Sequence, residues 1–175
     1  ESRGAASARA KQVEALTPRA KKTRYHGDYH LGQVLVAKDD VIIIDFEGEP
    51  SRSLAERRAK HSPLRDVVGM LRSFDYAAHA ALRQATADGT CDRSVLSPYL
   101  DDWQRQARAA FWDGYLATAG DSSGYPDDPD QARVLLELFT LEKACYELRY
   151  ELDNRPDWVE IPLGGLRDLL SLPGR

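Results

Sequence analysis

Two short stretches of the sequence carry side chains that could do chemistry together. The first, Arg24–Gln33, reads RYHGDYHLGQ, and the second, Asp45–Gly48, begins twelve residues after Gln33 and reads DFEG. Transfer of a phosphoryl group to an alcohol needs a carboxylate that accepts the hydroxyl proton and oxygen ligands that hold Mg²⁺ against the nucleotide phosphates. Asp28 supplies such a carboxylate, and Gln33 and Asp45 supply an amide and a carboxylate oxygen. The two stretches therefore indicate phosphoryl transfer that uses ATP and Mg²⁺.

The spacing of these residues matches that of the protein-kinase catalytic loop, where a metal-binding amide residue follows the aspartate by five positions. Asp28 and Gln33 are separated by the same five positions. Asp45 ends the apolar run Val41–Ile44, so a hydrophobic strand would hold its carboxylate rigidly beside the loop. Glu47 adds a second carboxylate to this segment, and we expect it to bind Mg²⁺ directly or to support a ligand.

The elements that must position these residues follow from the apolar pattern. Gln33–Ala37 and Val41–Asp45 are β-branched runs, which predicts a hairpin with the three-residue turn Lys38–Asp40. From Ser62 onward the spacing becomes helical, with Ser62–Pro63 as the first start signal. The first helix has an apolar stripe at Leu64, Val67, Val68, Leu71, Phe74 and Ala78.

Three further helices are predicted. One begins at Ser97–Pro98, ends near Gly120 and buries Leu100, Trp103, Ala107, Phe111 and Tyr115. The next runs from Gln131 to Asp153, with a core face of Val134, Leu135, Leu138, Leu141, Cys145, Leu148 and Leu152, and a short last helix follows Gly165. The expected fold class is α+β and mainly helical.

Composition narrows the function classes. The chain has 175 residues, a formal net charge of −4 and a pI of about 5.6. A general nucleic-acid binder is normally basic, so nucleic acid is not an expected partner. No apolar run approaches the roughly 18–20 residues of a membrane span. Cys91 and Cys145 lie far apart in sequence, which favours a reducing, cytoplasmic compartment. Residues 1–24 are predicted to be a basic connector or helix, and 25–175 one folded domain.

Five segments together resemble the bacterial maltokinases, which are aminoglycoside-phosphotransferase-like kinases often fused to trehalose synthase. These segments are His26–Leu35, Ile44–Pro50, Ser62–Phe74, Glu142–Glu147 and Asn154–Pro156. The resemblance implies the C-terminal lobe of a protein-kinase-like fold, with ATP-dependent phosphorylation of maltose at its anomeric hydroxyl. It further implies trehalose synthase as a possible partner.

The same resemblance assigns roles to single residues. Asp28 would be the catalytic base, with Gln33 and Asp45 as Mg²⁺ ligands. His26 would brace the catalytic loop, and Asp66 would accept hydrogen bonds from the loop backbone. A first-turn acid that only favours the helix dipole would explain Asp66 equally.

Sugar binding is expected on the third long helix. Glu142, Tyr146 and Tyr150 are spaced i, i+4 and i+8, so they share one face that could line a sugar pocket. Partly buried tyrosines on an ordinary amphipathic helix are the alternative. His30 is a further candidate to face the sugar, although a packed histidine explains it as well.

Other interpretations use the same residues differently. The sequence has no glycine-rich phosphate-binding motif, so an ATP-gripping amino-terminal lobe is expected outside this chain. The acceptor could instead be glucosamine, an aminoglycoside or another sugar. In a different class, His26, Asp28 and His30 alternate along the chain and could hold zinc in a hydrolase. An isolated lobe without turnover, acting as a regulatory module, is the third interpretation.

Overall fold

The computed structural model describes residues 18–87, 89 and 91–171. Most of this part is helical, with one antiparallel hairpin near its start. The strands are β1 (Val34–Ala37) and β2 (Asp40–Ile43). The helices are α1 (Leu54–Arg58), α2 (Leu64–Thr86), α3 (Arg93–Ala119), α4 (Pro129–Asn154) and α5 (Glu160–Ser171), and 3₁₀ turns occupy Leu31–Gln33 and Pro156–Trp158.

The predicted connector at residues 1–24 lies mostly outside the described residues. Within residues 18–24, Thr23 forms an isolated antiparallel bridge with His61, which precedes α2. Each of the two residues donates its N–H to the other's carbonyl over 2.9 Å. The chain is thereby tied to the helical body just before it enters the stretch that carries Asp28.

The hairpin forms where the sequence predicts it, but its turn is one residue shorter. Val34 pairs with Ile43 and Ala37 with Asp40, so Lys38 and Asp39 alone make the turn. Lys38 adopts a positive φ of 58°, which lets two residues reverse the chain. Asp40 therefore belongs to β2, and the expected three-residue turn was wrong.

Helix α2 lies at the centre of the helical body and packs against α3, α4 and α5. Leu64, Val67 and Val68 are almost fully buried and meet Ala132 and Phe139 of α4 in the main core cluster. The helix starts one residue later than the Ser62–Pro63 signal predicts, with Pro63 in the cap position, and the Ser62 hydroxyl accepts the Leu64 N–H over 3.3 Å. The predicted apolar stripe is confirmed for this helix.

Helix α3 begins more than one turn before the predicted position, at Arg93 rather than at Ser97–Pro98. Asp92 is its cap, with a carboxylate that accepts the Ser94 N–H over 2.7 Å, and Pro98 lies inside the helix. The five residues expected on its buried side are at most half-buried, and Trp103 remains 44% exposed although its ring meets Phe74. A helix at the edge of the body buries less of each side chain than a central one, which explains the difference.

The predicted core face of α4 was wrong in part. Cys145 is exposed, and Leu152 is 57% exposed. The buried residues instead include two carboxylates, Glu147 and Glu151, beside Ala132, Phe139 and Ala144. Burying a charge is tolerated only when a partner compensates for the lost water, and both carboxylates have such partners within the fold.

Two smaller elements also differ from expectation. Helix α5 starts at Glu160 rather than after Gly165, and a side chain at Gly165 would collide with the Arg72 guanidinium. Helix α1 was not predicted, although Ser53 and Glu56 form a capping box in which each side chain binds the other's backbone N–H. Over the described part of the chain, no helix combines the length and apolar character needed to cross a bilayer.

Candidate active site

His26 ties the predicted catalytic loop, residues 24–33 and here called the loop, to the end of the hairpin. Its side chain is buried, and Nε2 lies 2.8 Å from the carbonyl oxygen of Ile44. The ring also packs against Phe46 at 4.9 Å and Tyr29 at 5.5 Å between centroids. This placement fixes the loop relative to Asp45, which directly follows Ile44.

Asp66, in the first turn of α2, binds the backbone of the loop through its side chain. Its two carboxylate oxygens accept the backbone N–H of His26 over 2.6 Å and that of Gly27 over 2.9 Å. Burial raises the pKa of Asp66, and these two donors act in the opposite direction. Gly27 has a φ of +86°, a conformation that side-chain-bearing residues rarely adopt. The loop can thus turn over the start of α2.

Asp28 projects from this loop into a cleft. Burial is the largest cause that raises the pKa of the Asp28 carboxyl, and the charge of Glu49 raises it further. Lys143 and two nearby histidines, His30 and His26, oppose this shift. A carboxylate with a raised pKa is a stronger proton acceptor once ionised, which suits a general base.

His30 lies beside Asp28 and also shapes the loop. Its Nε2 is 3.8 Å from Oδ2 of Asp28, and its Nδ1 accepts the Gly32 N–H over 3.0 Å. The second contact caps the 3₁₀ turn that leads to Gln33. His30 therefore borders the cleft and organises the backbone, so both predicted roles fit its position.

The structure brings Gln33 and Asp45 together. The amide Nε2 of Gln33 donates to Oδ2 of Asp45 over 3.1 Å, and Asp45 has a positive φ of 62°. One carboxylate and one amide oxygen suit Mg²⁺, which keeps several waters and takes its other ligands from nucleotide phosphates. The donor set therefore fits a nucleotide-bound Mg²⁺.

Glu47 stays a predicted ligand or supporting group. It is exposed, and its carbonyl oxygen accepts a hydrogen bond from Arg57 over 3.3 Å. Among the residues that the structure describes, no three His, Cys, Asp or Glu side chains form a metal-binding group. The zinc interpretation is therefore wrong, because the Nε2 of His26 faces the Ile44 carbonyl and not His30 and Asp28.

The predicted sugar-binding face of α4 divides into two parts. Glu142 forms a bidentate ion pair with Arg65, at 2.9 and 2.7 Å, so its carboxylate is already engaged. Tyr146 and Tyr150 stack with a centroid distance of 6.5 Å and line the same cleft as Asp28. The tyrosines thus border the cleft, and Glu142 lines an adjoining pocket that Asp28 and Tyr146 also line.

The cleft also contains residues beyond the main predicted site residues. It has a volume of about 540 Å³ and lies between the catalytic loop, α2, α4 and the turn at Pro156–Trp158. Its wall is rich in aromatic rings and carboxylates, a combination that suits a sugar ring and its polar groups. The additional lining residues are Glu49, Tyr76, Lys143, Glu147, Glu151, Arg155 and Trp158.

Some of these additions had a weak sequence signal, and others had none. Glu49 belongs to the segment that follows Asp45, and Lys143 and Glu147 are neighbours of the predicted tyrosines. Tyr76 and Trp158 are far apart in sequence, yet their rings stack at 6.2 Å. Only the packing of α2 against the end of α4 brings these two rings together.

Gly69 provides a test of how tightly α2 holds the loop. A Cβ at this position would lie 2.5 Å from the carbonyl oxygen of Tyr29, so Gly69→Ala must displace the loop. Misplacing catalytic groups by about 1 Å can cost about 10²-fold in rate, and we expect kcat of the full-length protein to fall by that order. In α5, Gly164→Ala is the control, because a Cβ there meets nothing within 4 Å. Equal kcat values for Gly69→Ala and Gly164→Ala would contradict the close approach of the Tyr29 carbonyl to Gly69.

Comparisons with known proteins identify sugar kinases as relatives of this chain. A glucosamine kinase of Streptacidiphilus jiangxiensis is 31% identical over 146 residues, which are 83% of this chain and 31% of that protein. A glucosamine kinase of Mycolicibacterium smegmatis is 35% identical over 151 residues, covering 83% of this chain and 34% of the relative. The chain thus spans about a third of the length of these relatives. No family model matches it.

Solved structures give the same result. A glucosamine kinase in complex with glucosamine, ADP and inorganic phosphate has a TM-score of 0.69 at 29% identity, covering 85% of this chain and 32% of that one. Another crystal form of glucosamine kinase has a TM-score of 0.68 at 29% identity, covering 83% and 32%. The mainly helical body with its small antiparallel sheet is consistent with a kinase-like fold, and the chain is related to sugar kinases of the glucosamine kinase type.

Proposed function

We propose that the full-length protein transfers the γ-phosphoryl group of ATP to a hydroxyl group of an aminosugar of the glucosamine class. The observation that carries the proposal is a carboxylate-rich cleft at Asp28 in a chain whose relatives are glucosamine kinases. One solved relative is a complex with glucosamine, ADP and inorganic phosphate. Glucosamine is an aminosugar, and ADP and phosphate are the products of ATP hydrolysis.

The charges of the cleft favour a cationic sugar. Its lining includes four carboxylates, Asp28, Glu49, Glu147 and Glu151, and two permanent cations, Lys143 and Arg155. Two of these carboxylates are already matched, because Glu147 binds Arg72 and Glu151 binds Arg155. Asp28 and Glu49 then face the single ammonium group of Lys143, so the cleft has negative charge to offer a sugar ammonium group.

The catalytic roles follow from the site geometry. Asp28 would orient the acceptor hydroxyl and take its proton as the oxygen attacks phosphorus. Gln33 and Asp45 would hold Mg²⁺, which when bound neutralises charge on the nucleotide phosphates. The segment that grips ATP would come from the amino-terminal part of the longer protein.

Maltose remains the competing acceptor on the strength of the motif resemblance. Phosphorylation at the anomeric hydroxyl of maltose would use the same Asp28, and the stacked tyrosines Tyr146 and Tyr150 would suit a second sugar ring. The relatives named above favour the aminosugar. A trehalose synthase partner and a cytoplasmic location stay predictions from the sequence.

A sugar panel tests the proposal. We expect ADP formation by the full-length protein to be at least about tenfold faster in kcat/KM with glucosamine than with N-acetylglucosamine, which keeps the ring but loses the ammonium group. Maltose, glucose and an aminoglycoside complete the panel, and a chelator should abolish turnover. A higher kcat/KM with maltose would identify a neutral disaccharide, and not an aminosugar, as the phosphoryl acceptor. Absence of turnover with every sugar would favour the regulatory-module interpretation.

A further inference from the structure

Glu49 lies where the sugar cleft meets the adjoining pocket, because it lines both cavities together with Asp28. A turn fixes its place in the chain: Gly48, the residue before it, is buried with a φ of +78°, and the Arg52 N–H donates to the Glu49 carbonyl over 3.0 Å. The Ser51 N–H donates to Oε1 of Glu49 over 3.5 Å. Glu49 is half-buried, so a ligand in the cleft can reach its carboxylate.

The charge of Glu49 acts on other groups inside the cleft. Burial is the largest cause that raises the pKa of Asp28, and the charge of Glu49 is the second. Burial also raises the pKa of the Tyr146 hydroxyl, and Glu49 raises it further. Like charges repel more strongly where burial lowers the effective dielectric constant, so a cation beside Asp28 and Glu49 would stabilise both carboxylates.

Two other carboxylates of the cleft are already paired with arginines. Nη2 of Arg72 lies 2.6 Å from Oε2 of Glu147, and Nη2 of Arg155 lies 2.7 Å from Oε1 of Glu151. The side chains of Glu147 and Glu151 are 8% and 1% exposed, so both carboxylates belong to the interior. A buried carboxylate that is paired in this way has little attraction left for a ligand cation.

Two cations that line the adjoining pocket with Glu49 have other partners. The ammonium group of Lys143 acts on Asp28, because its charge opposes the upward shift of the Asp28 pKa. The Arg52 guanidinium lies 3.8 Å from the carboxylate of Glu142. In the part of the chain that the structure describes, no arginine, lysine or histidine forms an ion pair with Glu49. Glu49 is therefore a cleft carboxylate whose charge a bound cation can match.

We propose that Glu49 determines the acceptor specificity of the proposed kinase, by binding the ammonium group of an aminosugar beside Asp28. The inference rests on the proposed function and names the residue that distinguishes a cationic acceptor from a neutral one. An ammonium group brings three N–H donors and a positive charge to this carboxylate. A hydroxyl group in the same position brings one donor and no charge, so a neutral sugar leaves the charge of Glu49 uncompensated.

Glu49→Gln tests this role, because the amide keeps the shape of the carboxylate and loses its charge. The change also lowers the repulsion that acts on Asp28, but this effect on the proposed base is the same for every acceptor. Glucose is the matched neutral acceptor, since it carries a hydroxyl group where glucosamine carries the amino group. The ratio of kcat/KM for glucosamine to kcat/KM for glucose cancels the effect on Asp28, and it does not depend on the folded fraction of a preparation.

Both kcat/KM values are measured on the full-length protein by coupled ADP detection, slightly below neutral pH so that the amine of glucosamine is protonated. We expect Glu49→Gln to lower the ratio at least about tenfold, the loss that follows from removing a hydrogen bond to a charged group. Most of the loss should come from a higher KM for glucosamine, and Glu49→Asp, which keeps the charge, should recover part of the ratio. Asp39→Asn removes a negative charge in the hairpin turn and should leave the ratio within about twofold.

The failure of this inference differs from the failure of the proposed function. An unchanged ratio for Glu49→Gln, in a protein that prefers glucosamine to glucose, would overturn the role of Glu49 alone. An unmodified protein without that preference would overturn both proposals. If Glu49→Gln abolishes turnover with both sugars, calorimetry of glucosamine binding decides. A Kd raised at least about tenfold with unchanged ATP affinity supports the role of Glu49, and an unchanged Kd for glucosamine contradicts it.

Discussion

Asp28→Asn in the full-length protein is expected to lower sugar-dependent ADP formation by about 10³-fold, within the 10²–10⁴-fold range of general-base catalysis. The amide keeps the shape of the carboxylate but accepts a proton far less readily. Asp28 lies in the cleft among Glu49, Lys143 and His30, where burial and Glu49 raise its pKa. Turnover is measured by coupled ADP detection and ATP binding by calorimetry, and ATP binding should be unchanged.

An exposed aspartate outside the cleft provides the control for this change. Asp39 lies in the hairpin turn, so Asp39→Asn should leave turnover within about twofold of the unmodified protein. If Asp28→Asn were as active as this control, Asp28 would not be the base. If it lost ATP binding as well, Asp28 would belong to the nucleotide site.

Much of the loop could be predicted because its chemistry depends on fixed sequence spacing. Gln33 and Asp45 are joined by a hydrogen bond, and Asp66 accepts two loop N–H groups at the start of the predicted helix. The hairpin and all the long helices were predicted as elements, since alternating and helical apolar patterns are strong local signals. Some of their starts shifted by more than one turn, because caps such as Asp92 compete with other start signals.

The cleft itself could not be predicted from local patterns. Its wall depends on buried charges, and a pattern that assigns apolar residues to the core places Cys145 inside and Glu147 outside. The structure reverses this because Arg72, 75 positions earlier in sequence, meets Glu147. A contact between residues so distant leaves no periodic signal in either helix.

One face of α2 organises the whole site. Along this helix, Asp66 binds the loop backbone, Gly69 admits the Tyr29 carbonyl, and the Ser73 hydroxyl accepts the Leu31 N–H over 3.2 Å. Further along, Tyr76 donates to Glu151 over 3.0 Å. The same helix therefore positions the proposed base and the floor of the cleft.

Among these residues, we expect removal of the Arg72 side chain to lower the stability of the fold most. Its side chain is 3% exposed, and its Nε and Nη2 donate to Oε2 of Glu147 over 2.9 and 2.6 Å. Removing one partner of a buried ion pair costs about 3–5 kcal/mol, because the other charge stays buried without compensation. We expect Arg72→Leu to lower the free energy of unfolding by that amount. Asp75, the second partner of Arg72, keeps its hydrogen bonds from Arg108 and Gln104.

Two further variants separate the buried pair from a general effect of losing an arginine. Arg83 forms an exposed ion pair with Asp157 at 3.2 Å, so Arg83→Leu should cost less than about 1 kcal/mol. Arg72→Leu combined with Glu147→Leu should be more stable than Arg72→Leu alone, since no buried charge remains unpaired. Urea unfolding measures the free energy of unfolding of all three variants, and equal losses for Arg72→Leu and Arg83→Leu would contradict a special role of the buried pair.

The stability loss of Arg72→Leu should also depend on pH. Burial raises the pKa of Glu147 and Arg72 opposes it, so without Arg72 this pKa rises further above its unfolded value. The deficit of Arg72→Leu should therefore be largest at neutral pH and shrink as acid protonates Glu147.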